Sequence, residues 1–273
     1  MKTILLISSF VSSSQVGANI SAFALRRLGI EVVILPTTLF GRHPGWGTPG
    51  GTKTDPKTLQ DMWEGINAQN IHFDAVMTGY MADRAHISLA AEIIETLRQD
   101  NPAIKILVDP VKGDAGRLYI PERRARLLNT NLSPMADILT PNLYELSYMF
   151  GRDFHDIEEI INAVRQTSQT MLVTSVTRGD QIGALYIDAD QANYVGHETF
   201  DTVPNGGGDM LAALFLAHLL KGADPNEAQI QAVSATYAIL SKAVEMHLPE
   251  LPITAYQDDL ITPPRLELEP ITL

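Results

Sequence analysis

Between Pro204 and Leu214 the chain reads Pro204-Asn205-Gly206-Gly207-Gly208-Asp209-Met210-Leu211-Ala212-Ala213-Leu214, three glycines and a carboxylate running into an apolar helix. Backbone without Cβ atoms can fold into a nest whose N–H groups converge on one anion. The helix that follows adds the positive end of its dipole to that field. A carboxylate placed there, Asp209, would stand beside both a bound phosphate and a hydroxyl attacking it, which suits a general base. The same residues also fit an Asp N-cap after a flexible loop, and taken alone that second reading is the commoner one.

Working outward, Gly183 to Ile187 and Asn193 to Gly196 predict an antiparallel pair across the turn Asp188 to Gln191. Helices are predicted over Asp209 to Leu220 and from Pro225 to about Ala243. Toward the N-terminus, short apolar runs predict strands at Ile4–Ser8, Glu31–Leu35, Ala75–Thr78, Ile104–Val108, Ala136–Leu139 and Met171–Val173. Helical patterns fall between them. One runs from Gly17 to Leu28 and is stopped by Gly29; another is capped by Asp55 with Pro56 at its first position. A third buries Ile87, Ala91, Ile94 and Leu97 on one face, and a fourth starts at Pro141. Thr37 to Thr54, rich in Gly and Pro, is expected to be a loop.

Strands alternating with helices imply an α/β fold, a mostly parallel sheet covered on both faces, and the late hairpin adds an antiparallel edge. The chain of 273 residues is read as a single domain, 1–273. Ligands of such sheets sit at the carboxyl ends of the strands, which places Ser9, Asp109 and Thr174 on one rim.

Composition narrows the functions. The 45% hydrophobic content suffices for a full core, and 19% charged residues is too few for a disordered chain. A net charge of −12 argues against general binding to nucleic acid or anionic membrane, yet permits a phosphate ligand held by backbone N–H groups. The absence of cysteine excludes disulfides and thiolate chemistry. No apolar run reaches the length of a membrane span, and Ser8 and Ser9 end the Ile4–Ile7 run too early for a signal peptide, so a cytoplasmic protein is expected.

Two further segments carry candidate chemistry. Asp109-Pro110-Val111-Lys112-Gly113-Asp114 follows a strand at the ligand rim, where carboxylates can orient magnesium through its water shell; an Asp-Pro turn is the plain alternative. In Thr140-Pro141-Asn142-Leu143-Tyr144-Glu145, Asn142 and Glu145 are three apart and share a face of the first helical turn. They either address metal or phosphate or simply provide polarity at a helix start.

Taken together and in order, these segments resemble the ribokinase-like superfamily and, within it, the pyridoxal kinases. The resemblance runs through Ser9 with Gly17-Ala18-Asn19, Leu25-Arg26-Arg27-Leu28-Gly29, Thr37-Thr38-Leu39-Phe40 with His43 and Gly47, Thr78-Gly79-Tyr80, Asp109-Pro110-Val111, Thr140-Pro141-Asn142 with Glu145, Val173-Thr174-Ser175, and Gly206-Gly207-Gly208-Asp209. It implies a three-layer sandwich and ATP-dependent phosphorylation of the 5′-hydroxyl of a vitamin B6 compound. Asp209 would be the base and Gly206, Gly207 and Gly208 the anion hole. Asp109, Thr140 and Glu145 would organise Mg2+, a monovalent cation (K+ or Na+) and the phosphates. Asp114, Asn142, Thr174 and Ser175 would contact ATP, while Ser9, His43 and Tyr80 would face the B6 vitamer. The resemblance also implies a homodimer, without nucleic-acid or membrane partners. The sequence departs from the family pattern at Ala18, Leu39 and Gly207 and in a short Gly113–Tyr119 segment over ATP; Leu39 is expected to make one wall of the substrate pocket more apolar.

Other phosphotransfer acceptors such as hydroxymethylpyrimidine, and a non-catalytic pyridoxal-binding protein on the same fold, are the alternatives. Retention of Asp209 favours catalysis over the latter. Gly45-Trp46-Gly47-Thr48-Pro49-Gly50 fits a dinucleotide fingerprint in letters only, since Pro49 and further loop residues intervene before any helix.

Overall fold

Side chains on a strand point alternately to the two faces of its sheet, so an unbroken apolar run marks a strand covered on both sides. In the computed structural model, which describes residues 1–272, β1 (Thr3–Val11) buries Ile4 and Leu6 in one apolar layer and Leu5 and Ile7 in the other. Each such aliphatic side chain removed from water contributes roughly 1.5–3 kcal/mol.

The chain continues through α1 (Ala18–Arg27), β2 (Glu31–Phe40), β3 (Gly51–Lys53), α2 (Pro56–Asn67), β4 (Ala75–Thr78), α3 (Arg84–Asp100) and β5 (Lys105–Val108). A small hairpin, β6 (Gly113–Asp114) and β7 (Arg117–Leu118), precedes α4 (Glu122–Leu127), β8 (Ile138–Leu139), α5 (Leu143–Phe150) and α6 (Ile157–Arg165). Then come β9 (Thr170–Arg178), β10 (Gln181–Ile187), β11 (Ala192–Glu198), α7 (Gly207–Leu220), α8 (Pro225–Glu245) and β12 (Leu268–Pro270).

Ten strands form one sheet in the order β12-β11-β10-β9-β8-β5-β4-β1-β2-β3. The six from β9 to β2 pair in parallel, and the pairings outside them are antiparallel. Helices α1, α7 and α8 contribute to the core on one face, α2 to α6 on the other. This is the three-layer α/β sandwich expected, with antiparallel strands at both edges.

The local signals behave as their chemistry predicts. Asp55 accepts hydrogen bonds from the N–H groups of Lys57 and Thr58 and caps α2, and Gly29 adopts φ 80° after α1. The expected loop Thr37–Thr54 is a correction. β2 runs on to Phe40 and β3 returns against it, with Thr38 opposite Lys53 and Phe40 opposite Gly51. Thr54 donates to the Pro36 carbonyl (2.6 Å) and Thr37 to that of Tyr80 (2.7 Å). These threonine hydroxyls tie down a segment that Gly and Pro content alone presents as irregular.

Helix α7 also starts earlier than expected, at Gly207, with Gly206 as N-cap at φ 100° and no side chain capping it. Asp209 therefore sits on the first turn rather than before it, and its carboxylate is directed elsewhere.

Candidate functional site

At the carboxyl ends of the parallel strands lies a cleft of 740 Å³. Ser9, at the end of β1, and Asp109, one residue beyond β5, reach it, as do Thr140, just after β8, and Thr174 on β9. Tyr80, following β4, and His43, in the connection from β2 to β3, form part of its wall together with Val11 and Trp46. A larger hollow of 850 Å³ opens at the amino ends of the strands, between the ion pairs Lys2–Asp74 and Arg98–Asp137. It contains none of the residues predicted for chemistry, and the strand polarity of such sheets puts ligands at the other end.

The floor of the cleft is the start of α7. Gly206 and Gly208 line it with Asp209. The first-turn N–H groups of Gly207, Gly208 and Asp209 have no intrahelical acceptor, so they are free to face an anion. Gly206 is a glycine by necessity: its φ is left-handed, and a Cβ would collide with the carbonyl oxygen of Gln15. Gly207 differs, because a Cβ there would lie at ordinary contact distance from Leu240 (3.7 Å), on the core side of the helix rather than in the cleft.

Asp209 is held from across the cleft. The Gly17 N–H donates to Oδ2 at 2.9 Å, and Oδ1 points toward Gly79. Gly17 has φ 56°, and a Cβ on it would collide with Ser9. That glycine therefore allows the loop from β1 to α1 to close on Asp209. Desolvation raises the Asp209 pKa, and the Gly17 hydrogen bond opposes the shift in part.

Asp109 and Glu145 are buried, and burial raises both pKa values, Glu145 to about 7. The negative charges of Glu145 and Asp209 push Asp109 further in the same direction. Glu145 also plays a structural part, in which Oε1 accepts from the N–H groups of Lys112 (2.6 Å) and Gly113 (3.3 Å), and Oε2 from that of Asn142 (3.1 Å). Asn142 Oδ1 in turn accepts from the Glu145 N–H (2.8 Å), completing a capping box for α5. The Asn142 amide also donates to the Gly113 carbonyl (2.9 Å). Of the two readings of this pair, helix-start polarity is thus realised, and Asn142, although it lines the cleft, spends its side chain on structure.

Thr140 presents a buried hydroxyl with no hydrogen-bond partner of normal geometry. His43 accepts from the Gly45 N–H through Nδ1 (3.1 Å) and packs edge-on to Trp46; burial lowers its pKa. The guanidinium of Arg124 lies 5.9 Å from the centre of the Tyr80 ring. Asp114 is exposed on the β6–β7 hairpin, which leans over the cleft with Arg117 and Tyr119.

Two residues stand apart from the expected site. Ser175 is exposed at φ 59° and does not line the cleft, unlike Thr174 beside it. Leu39 is 49% exposed and forms no wall, because alternation along β2 gives that place to Phe40. Sequence reasoning missed Lys112, which is fully buried with its ammonium donating to Asn129 Oδ1 (2.9 Å); burial brings its pKa down to about 8. It also missed Arg117, the only lysine or arginine in the cleft lining. Lys112 lies in no helical or strand pattern, and β7, which carries Arg117, is only two residues long, too short to mark a side chain's direction.

Comparison with known proteins agrees with this geometry. Residues 45–253 match the family described as phosphomethylpyrimidine kinase. Pyridoxal kinase of Rubrobacter xylanophilus is 33% identical, the match covering 96% of this chain and 94% of that protein. The crystal structure of pyridoxal kinase from Entamoeba histolytica superposes with a TM-score of 0.92 at 24% identity, covering 99% of this chain and all of that one. That of Leishmania donovani, in complex with ADP and pyridoxamine, does so with a TM-score of 0.90 at 23% identity and full coverage of both. With a family match over most of its length and a full-length relative at this identity, the chain belongs to the pyridoxal kinase family.

Proposed function

We propose that this protein transfers the γ-phosphate of ATP to the 5′-hydroxyl of pyridoxal, with pyridoxine and pyridoxamine as further acceptors. The observation that carries the reading is Asp209: it lines the cleft on the first turn of a helix with free N–H groups, and one of its carboxylate oxygens is fixed by the Gly17 N–H. The names of the relatives, and the ADP and pyridoxamine in the Leishmania complex, support the same substrates.

In this reading the acceptor oxygen attacks the γ-phosphorus as the bond to the ADP oxygen breaks, and the hydroxyl proton passes to Asp209. The N–H groups at the start of α7 hold the transferring phosphoryl oxygens. Ser9, His43 and Tyr80 form the acceptor end of the cleft, with Val11 and Tyr80 as apolar walls for the ring and Ser9 and His43 as polar partners for its edge. Thr140, Thr174 and Asp114 face the nucleotide end.

The cleft fits a divalent cation. Its lining holds Asp109, Asp114, Glu145 and Asp209 against Arg117, so bound ATP would meet a wall of like charge. Among the described residues no three such side chains form a closed metal cage. Mg2+ therefore fits as an ion kept largely by water and phosphate, addressed by Asp109 and Glu145 and by the unpartnered Thr140 hydroxyl. When bound it neutralises charge on the phosphate oxygens.

We assign the reaction to the cytoplasm, where ATP is at hand; no helix among the described residues is long and apolar enough to cross a membrane. A homodimer belongs to the same proposal, and the outer edge of β3 and the exposed Leu39 and Met62 offer a surface for it. The test is ATP consumption with pyridoxal, pyridoxine, pyridoxamine and hydroxymethylpyrimidine in parallel. Pyridoxal is expected to give the highest kcat/KM. A much higher value for hydroxymethylpyrimidine would reject the B6 assignment, and no turnover with any acceptor would reject the kinase.

A further inference from the structure

Between the end of β4 at Thr78 and the N-cap of α3 at Asp83 the chain runs irregularly, yet Met81 and Ala82 are buried. A buried carbonyl outside helix and sheet must find its hydrogen-bond partner elsewhere. Among the described residues no backbone N–H donates to the carbonyls of Tyr80, Met81 or Ala82. Side chains serve all three. The Thr37 hydroxyl donates to the Tyr80 carbonyl at 2.7 Å, and Arg124 Nη1 donates to that of Met81 at 3.1 Å and to that of Ala82.

Arg124 itself is buried on α4 and, among the described residues, has no carboxylate oxygen within 4.0 Å. A guanidinium taken out of water without a counter-charge is costly, so its retention needs a reason. Its geometry supplies one. The two protons of one terminal nitrogen answer two carbonyls at once, and the guanidinium centre stands 5.9 Å from the centre of the Tyr80 ring, within reach of cation–π attraction. One side chain thus grips both the ring of Tyr80 and the backbone that follows it. Tyr80 lines the cleft and Arg124 does not. An aromatic wall left free to turn would have to be ordered when a ligand binds, and that ordering weakens affinity.

We propose that Arg124 is a positioning residue that sets the Tyr80 ring in place as a wall of the acceptor end, and so governs affinity for the acceptor ring rather than phosphoryl transfer itself. The proposal rests on the kinase reading, in which Tyr80 faces the B6 vitamer. Arg124 acts only through Tyr80, so its effect on acceptor binding disappears when that ring is removed.

The experiment measures kcat and both KM values, with pyridoxal as acceptor, for wild type, Arg124→Met, Arg124→Lys, Tyr80→Leu and the double variant Arg124→Met with Tyr80→Leu. Arg124→Met should raise KM for pyridoxal about tenfold while kcat and KM for ATP stay within about twofold of wild type. Arg124→Lys, which keeps the charge and a donor, should recover part of that loss. The double variant should bind pyridoxal no worse than Tyr80→Leu alone, the non-additivity expected of two residues acting as one unit. A second measurement needs no substrate: in protein labelled with 13C in its tyrosine rings, the Tyr80 resonance, assigned by its loss in Tyr80→Phe, should move or broaden in Arg124→Met. An unchanged KM for pyridoxal, equal losses in kcat and in KM for ATP, additive effects in the double variant, or an unmoved Tyr80 resonance would each overturn the proposal. If Arg124→Met does not fold, Arg124→Gln, which can still donate to one carbonyl, is judged by the same criteria with a rise of about threefold. Absence of wild-type turnover with every acceptor would count against the kinase reading, and the Tyr80 resonance would still judge Arg124.

Discussion

Three consecutive glycines precede Asp209, yet the structure uses them differently. Gly206 has a left-handed φ and no space for a Cβ, whereas Gly207 has an allowed helical conformation and room against Leu240. Gly206→Ala is therefore expected to cost about 1–3 kcal/mol in backbone strain alone. It should also push the loop that carries Gln15 away from the start of α7. Gly207→Ala should be neutral or stabilising by up to about 1 kcal/mol, as for any glycine replaced within a helix. Urea denaturation of the two variants separates the cases, and equal losses in both would show that the triplet acts only through flexibility. Gly17 is a fourth glycine of the site, legible only once the chain is folded, because the clash that requires it involves Ser9.

At the scale of elements, α7 is apolar all round, and every residue from Met210 to Ala217 is buried. Such a helix lacks a solvent face and belongs inside a layered protein. Phe215 packs against Tyr186 with ring centres 6.0 Å apart. Phe215→Ala should destabilise by about 3–5 kcal/mol, measured by denaturant unfolding. A loss below about 1 kcal/mol would mean that the core repacks around the gap. The parallel strands were readable in the sequence because short runs such as Ile4–Ile7 must be covered on both faces. The helices capped by Asp55 and stopped by Gly29 were readable from single residues with one conformational use. What escaped depended on partners distant in sequence. β3 exists through pairing with the end of β2, and the β6–β7 hairpin through the turn at Ala115 and Gly116, both at positive φ. The cleft was legible to the extent that it lies at strand ends: Ser9, Asp109 and Thr174 follow from strand polarity alone, and Thr140 from the resemblance. Ser175 lies outside the cleft lining because the alternation of β9 is interrupted there, and Lys112 was missed because nothing local marks a lysine as buried.

For the whole molecule, the acidic cluster ties stability to pH and to the cation. The folded state raises the pKa values of Asp109, Asp209 and Glu145, the last to about 7 from 4.5, so it holds their protons more tightly than the unfolded chain does. For Glu145 that stabilisation is complete below pH 4.5 and is lost as pH rises through 7. Lys112 is lowered from 10.5 to about 8; its contribution is present above pH 10.5 and lost as pH falls through 8. Between these limits, at pH 7 to 8, the cluster contributes least. The melting temperature without metal is therefore expected to fall between pH 5 and 7.5. Mg2+ with ATP should restore more at pH 7.5 than at pH 5, and Glu145→Gln should flatten the fall. A melting temperature that rises over this interval in wild type would contradict the placement of the carboxylates. The proposed reaction depends on one proton acceptor, and Asp209→Asn probes it most directly. With folding checked by circular dichroism and ATP binding by calorimetry, kcat for pyridoxal should drop by about a hundred- to ten-thousandfold while ATP affinity stays near that of wild type; a variant that binds ATP and turns over at a near-normal rate would contradict the assignment of Asp209 as the base.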